Sequence, residues 1–215
     1  MDSELIILIF GIIGTIAFSI SGALIAIENK LDLLGVIILG VVTACGGGLF
    51  RDVILNREIV MFSQALFPFI AFIVAVLVFV IMCLIKNLNW ENSKIYKTIY
   101  NIIDSLGLGA FVITGVLVSI KSEVTSLFPI VFFAVLTACG GGILRDIFVA
   151  KIPAIFRKHI YAVAAIIGAL FYYGLFSINA PVLLNTILTV LLVVVIRFLA
   201  YKFEWSLPKV KLNDR

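Results

Sequence analysis

The sequence is short of charge. Asp, Glu, Lys and Arg make up 13% of its 215 residues, where a soluble domain carries about a quarter. It holds one histidine, His159, in a basic loop, where it reads as a solvated interfacial side chain. It holds three cysteines, and none is spaced with a second ligand-type residue. That leaves no metal-ligand set and no disulfide framework. Cys45, Cys83 and Cys139 read as small buried thiols. No nucleotide loop and no nucleophile–base set is present, so an enzyme is not expected and no cofactor is called for. The start, Met1-Asp2-Ser3-Glu4, lacks the basic region of a cleaved signal, and the first apolar run reads as a retained helix.

What is abundant is apolar. Hydrophobic residues make up 63% of the chain and the mean hydropathy is +1.26. Several runs reach the ~20 residues that cross the hydrocarbon as a helix. They do not alternate in polarity, which excludes strands of a membrane barrel. The expected fold is all-α and integral to the membrane, with seven spans: 5–27, 33–55, 68–85, 102–120, 128–150, 160–176 and 182–200. Pro68, Pro129 and Pro181 fall at helix starts, where a missing N–H is tolerated. A polar turn, Glu28–Asp32, follows the first span, and a polar connection, Lys86–Tyr100, separates the third from the fourth. The chain then divides into one transmembrane domain, 1–200, and a polar tail, 201–215.

The transmembrane part is duplicated. Thr43-Ala44-Cys45-Gly46-Gly47-Gly48-Leu49-Phe50-Arg51-Asp52 returns as Thr137-Ala138-Cys139-Gly140-Gly141-Gly142-Ile143-Leu144-Arg145-Asp146, with eight of ten positions identical, 94 residues on. Upstream, Ala17–Gly22 resembles Ala110–Gly115 at an offset of 93. Two matches in order at nearly one offset mean an internal repeat. Repeat one covers 5–86, repeat two 101–177, and helix seven, 181–200, is added. Each repeat holds three spans, an odd number. The second copy therefore enters from the opposite face, and the repeats are inverted about an axis in the membrane plane.

Loop charge sets the orientation. Arg51, Arg57 and Lys121 fall on one side and the other thirteen Lys and Arg on the opposite side. The positive-inside rule places the thirteen in the cytoplasm, with the N-terminus outside and the C-terminus inside. The net charge of +4 follows from this asymmetry. It calls for no nucleic acid, and it suits anionic lipid at the cytoplasmic face.

The polar residues of the spans are the candidates for function. Gly46, Gly47, Gly48, Gly140, Gly141 and Gly142 admit two readings. They break or kink helices two and five, exposing half-helix ends to a water-filled path, or they let small-residue faces pack closely. Arg51-Asp52 and Arg145-Asp146 lie beyond the glycines, toward opposite mouths. Neighbours at i and i+1 do not face each other on a helix, so each pair is expected to find partners elsewhere, or to anchor at headgroups. Asp104 sits a few residues into an apolar helix, where its repeat mate is Gly11. It faces a pathway or stabilises a helix start. Thr15, Ser19, Thr43, Thr114 and Thr137 are hydroxyls in apolar company. They can replace part of an ion's hydration shell, or bond to the carbonyl one turn back. Thr15 and Ser19, four apart, share a face.

These residues carry a resemblance. Phe18-Ser19-Ile20-Ser21-Gly22-Ala23-Leu24, then Lys30-Leu31-Asp32 and the two glycine–arginine–aspartate blocks, resemble prokaryotic members of the trimeric intracellular cation (TRIC) channel family. That repeat is shared with bacterial membrane proteins described as glycine transporters. The resemblance spans about Ile6 to Phe198. It implies a homotrimer in a prokaryotic cell membrane, and a pore through each protomer lined by helices two and five. It also implies conduction of monovalent cations, chiefly potassium, with sodium the other candidate ion. The alternative is a secondary carrier for a small zwitterion such as glycine. One departure stands out. Animal members carry a Lys-Glu-Val motif tied to phosphoinositide lipid, and here Lys-x-Glu-Val falls out of register at Lys121–Val124. That lipid site is not carried over.

Overall fold

The computed structural model describes residues 3–85, 94–157 and 160–205. His159, Lys158, residues 86–93 of the polar connection and the tail from 206 lie outside the described residues. Among the described residues every regular element is helical: α1 Ser3–Glu28, α2 Leu33–Ile54, α3 Val60–Ser63, α4 Leu66–Leu84, α5 Lys94–Lys121, α6 Leu127–Phe148, α7 Ala154–Arg157, α8 Tyr161–Ser177 and α9 Val182–Lys202. Six of them, α1, α2, α4, α5, α6 and α9, are long and apolar enough to cross a membrane. The seventh expected span is α8, with 17 residues. At 1.5 Å per residue it is about 25 Å long, short of the ~30 Å hydrocarbon.

Two differences from the sequence reading are local. The fourth span starts two turns early, at Lys94 rather than 102, so Tyr100 is helical rather than part of a loop. The four-residue helices α3 and α7, 94 residues apart, are too short to leave a periodic signal. Cys83 is exposed on α4, whereas Cys45 and Cys139 are buried.

The core is built on α1, α2, α5 and α6. Their inner faces are small, and the helices use this to approach closely. Phe18 covers Gly107, where a Cβ would lie 2.3 Å from Cδ1, and its mate Phe111 covers Gly14, at 2.5 Å from Cε1. The two rings meet edge to face, with centroids 5.1 Å apart. Between α2 and α6 a Cβ on Gly47 would fall 2.1 Å from the Thr137 carbonyl oxygen, and one on Gly141 1.9 Å from that of Thr43. Contacts that advance on one helix retreat on the other, so α2 and α6 cross antiparallel. The reciprocity is that of a two-fold. Outside this core, α4 and α9 present large apolar side chains outward, among them Phe69, Leu77, Leu84, Leu184 and Leu191. In water such a surface would be a liability, and in lipid it is a matched solvent.

Candidate functional site

The glycine blocks do not interrupt their helices. Residues 46–48 and 140–142 are α-helical throughout, and no glycine has positive φ. No half-helix ends are exposed there, which corrects the broken-helix expectation. Gly46, Gly47, Gly140 and Gly141 serve instead as the crossing surface of α2 and α6. Thr43 and Thr137 donate to carbonyls one turn back, Leu39 and Phe133, each at 2.6 Å. Their hydroxyls are satisfied within the helix while their backbone carbonyls face the opposing glycines.

The Arg–Asp pairs also correct an expectation. Arg51 donates from Nε (2.9 Å) and Nη2 (2.8 Å) to Oδ1 of its own neighbour Asp52. Arg145 Nε does the same to Asp146, at 2.9 Å. Helix spacing forbids this for short side chains. Arginine's arm is long enough to fold back along the helix end, where no next turn obstructs it. The second carboxylate oxygen of each aspartate accepts a backbone N–H eight residues on, from Val60 (3.2 Å) or Ala154 (2.7 Å). These are the first N–H groups of α3 and α7, which have no partner inside those helices. Each Arg-Asp pair thereby ties the end of one helix to the start of the next.

Beyond this shared frame the two ends differ. At the α6 end, Arg145 Nη1 donates to Asp104 Oδ1 (3.0 Å) and to Ser21 Oγ (2.6 Å). Ser21 lies 3.1 Å from the same carboxylate oxygen and 3.3 Å from the Tyr100 hydroxyl. Arg197 of α9 places Nη2 3.9 Å from Asp104 Oδ2, and its guanidinium sits 4.5 Å from the Tyr161 ring centroid. Arg145, Asp104 and Arg197 are each at most 5% exposed. Arg145 and Arg197 balance Asp104 and Asp146, and a buried set of charges requires such balance.

At the α2 end the mates of these residues are Ile7 for Tyr100, Gly11 for Asp104, Thr114 for Ser21 and Phe67 for Tyr161. All four line a cavity of about 720 Å³. Thr15, Gly48, Arg51, Asp52 and Thr137 line it too, with Glu4, Arg57 and Lys121 among its charged residues. Glu4 and Lys121 form an exposed ion pair between α1 and α5. Arg57 Nε stands 3.6 Å from Asp52 Oδ1. The end that carries Asp104 is filled, and the end that carries Gly11 is open.

Of the candidate residues, the cavity therefore gathers Thr15, Gly48, Arg51, Asp52, Thr114 and Thr137. Asp104, Arg145 and Asp146 form the closed cluster. Ser19 belongs to neither. Its hydroxyl donates to the Ala71 carbonyl at 2.7 Å and fastens α1 to α4. Sharing a face with Thr15 does not put it in the cavity. Gly142 lies beside Arg145, where an added Cβ would stand 3.6 Å from Nη2. Sequence reading passed over Glu4, Arg57, Lys121, Tyr100 and Arg197, which counted only as loop or helix-end residues. Among the described residues, no group of three or more His, Cys, Asp or Glu side chains could hold a metal.

A closely packed helical membrane protein with one open and one closed polar end is the class these features define. The chain belongs to the family described as "Glycine transporter", whose model matches it twice, at 8–83 and 101–177. It is 37% identical over 203 residues to the membrane protein YvgT of Bacillus subtilis, a UPF0126 protein, covering 93% of this chain and 94% of that one. It is also similar to solved TRIC cation channels, which bears out the resemblance read from the glycine blocks. One of these is 32% identical with a TM-score of 0.81, covering 96% of this chain and 98% of its own. The TRIC orthologue from Rhodobacter sphaeroides is 26% identical with a TM-score of 0.82, covering 92% and 98%.

Proposed function

We propose that the protein is a potassium-permeable channel for monovalent cations, with one pathway through each protomer of a homotrimer. The observation that carries this is its likeness, at 32% identity over nearly all of both chains, to a TRIC cation channel. The geometry supports it. The cavity brings the hydroxyls of Thr15, Thr114 and Thr137 to the α2–α6 crossing, and hydroxyl oxygens can stand in for water around a cation. The pathway runs through the cavity alongside the α2–α6 crossing and is shut at the Arg145–Asp104–Ser21 cluster. Seven spans, with α8 the short one, would leave the termini on opposite sides, and the loop charges favour an N-terminus outside and a C-terminus in the cytoplasm. The cavity then opens outward, and the closed end faces the cytoplasm. Asp52 and Asp146 each offset the charge of the neighbouring arginine at their mouth.

The test is recording from purified protein in planar bilayers under a potassium chloride gradient. Unitary currents reversing near the potassium potential are the expected result. A second reading has its own support. A cavity open at one end only, in a family described as glycine transporters, suits a carrier caught facing one side, with glycine or a similar zwitterion as cargo. Saturable glycine counterflow in vesicles, without unitary currents, would replace the channel by the carrier.

A further inference from the structure

The two ends share one frame, and the closed end holds a carboxylate where the open end has none. Arg145 Nη1 grips Asp104. The corresponding Nη1 of Arg51 makes no hydrogen bond among the described residues, because its mate positions are Gly11 and Thr114. Arg51 is 6% exposed and lines the cavity. We infer that the cavity binds the carboxylate group of a small organic acid, held by Arg51 and Thr114 in the place Asp104 occupies at the other end.

Three observations support the assignment. First, the protein supplies its own template: a carboxylate 3.0 Å from arginine Nη1, beside a hydroxyl, with the arginine's neighbouring aspartate still in place. Asp52 is therefore no more an obstacle to an incoming carboxylate than Asp146 is to Asp104. Second, a further cation stands at each end, beside the template carboxylate at one and beside the arginine's own aspartate at the other. Arg197 stands near Asp104, and Arg57 stands 3.6 Å from Asp52 at the open end. Third, the charges do not balance at the open end. Arg51, Arg57 and Lys121 face Glu4 and Asp52 there, three against two, so the cavity carries one excess positive charge. A monocarboxylate neutralises it. Thr114 now bonds to the Phe111 carbonyl at 3.1 Å, and its hydroxyl can rotate to donate to the ligand instead. Once bound, the acid would also remove the net positive charge that a cation meets on entry. That consequence rests on the channel reading, whereas the binding itself does not.

The experiment is saturation-transfer NMR with acetate on the full chain in phosphatidylcholine nanodiscs, at constant ionic strength set with chloride. Saturable binding is expected. Gly11→Asp would place a carboxylate on Arg51 within the chain and weaken acetate binding at least tenfold. A Cβ at Gly11 meets the tip of the Phe67 ring at 2.9 Å, so that ring must turn. Thr114→Val keeps the volume and removes the hydroxyl, and it should weaken binding several-fold even if Gly11→Asp does not fold. No saturable binding to the wild type, or equal binding to Thr114→Val, would overturn the inference. Potassium currents recorded in chloride alone report separately on the channel reading. Currents without acetate binding would sink the inference and leave the channel, and acetate binding without currents would do the reverse.

Discussion

Asp104→Asn tests the closed end most directly. The wild-type carboxylate receives Arg145 Nη1 at 3.0 Å and lies 3.9 Å from Arg197 Nη2, at 2% exposure. Asparagine keeps the shape and removes the charge. Two arginines then face only Asp146, and one positive charge is left buried without a counter-charge. Removing one partner of a buried ion pair costs roughly 3–5 kcal/mol. The low end, about 3 kcal/mol, applies here, because Arg145 keeps Asp146 and Arg197 keeps the Tyr161 ring. If opening parts this cluster and lets water reach the arginines, the cost falls on the closed conformation alone. At 1.4 kcal/mol per tenfold, the open-to-closed ratio rises about a hundredfold. The assay is open probability in planar bilayers, with melting in detergent alongside. Lower melting with unchanged open probability would show that the cluster does not close the pathway. Unchanged melting would show that the buried pairs are not energetically coupled, and the reasoning would fail one step earlier.

Other expectations follow from the same contacts. Gly47→Ala or Gly141→Ala drives a methyl into a backbone oxygen, at 2.1 Å and 1.9 Å. Each should destabilise by about 1–3 kcal/mol or more through overpacking, seen as a lower melting temperature. Gly48→Ala meets only Arg51 Nη2 at 3.7 Å and should melt as the wild type does. Ser19→Ala loses the bond to Ala71 and should cost about 1 kcal/mol, with α4 exchanging amide hydrogens faster. In whole cells, an impermeant maleimide should label a cysteine at Ser3 from outside and one at Glu204 only after lysis. Reversed labelling would overturn the orientation.

Much of the fold was legible in the sequence because lipid punishes irregular backbone, so long apolar runs almost have to be helices. The fourth span lies within α5, and the helix reaches further because it begins in polar residues, Lys94–Tyr100, that no hydropathy window rewards. The glycine blocks could not be decided from sequence, since glycine permits both bending and close approach. Only the position of a Cβ against the opposing carbonyl separates the two. The Arg–Asp pairing was missed because a rule about helix faces neglected the reach of arginine. The closed cluster was partly visible. Writing the mate of each polar residue gives Asp104 against Gly11 and Ser21 against Thr114, and those two substitutions mark where the ends diverge. Arg197 left no such signal, because α9 has no mate.

The exchange of Gly11 for Asp104 concerns sidedness. Two equal halves arranged head to tail cannot tell one face of a membrane from the other, and flux through them has no built-in direction. Here the equivalence is lost at a few matched positions, among them a carboxymethyl group present at 104 and absent at 11, and through Arg197, which has no mate. Shape and direction are thus encoded at separate addresses in the chain. The glycine blocks hold the frame in both halves alike, and the pair 11 and 104 marks where the two ends part in charge.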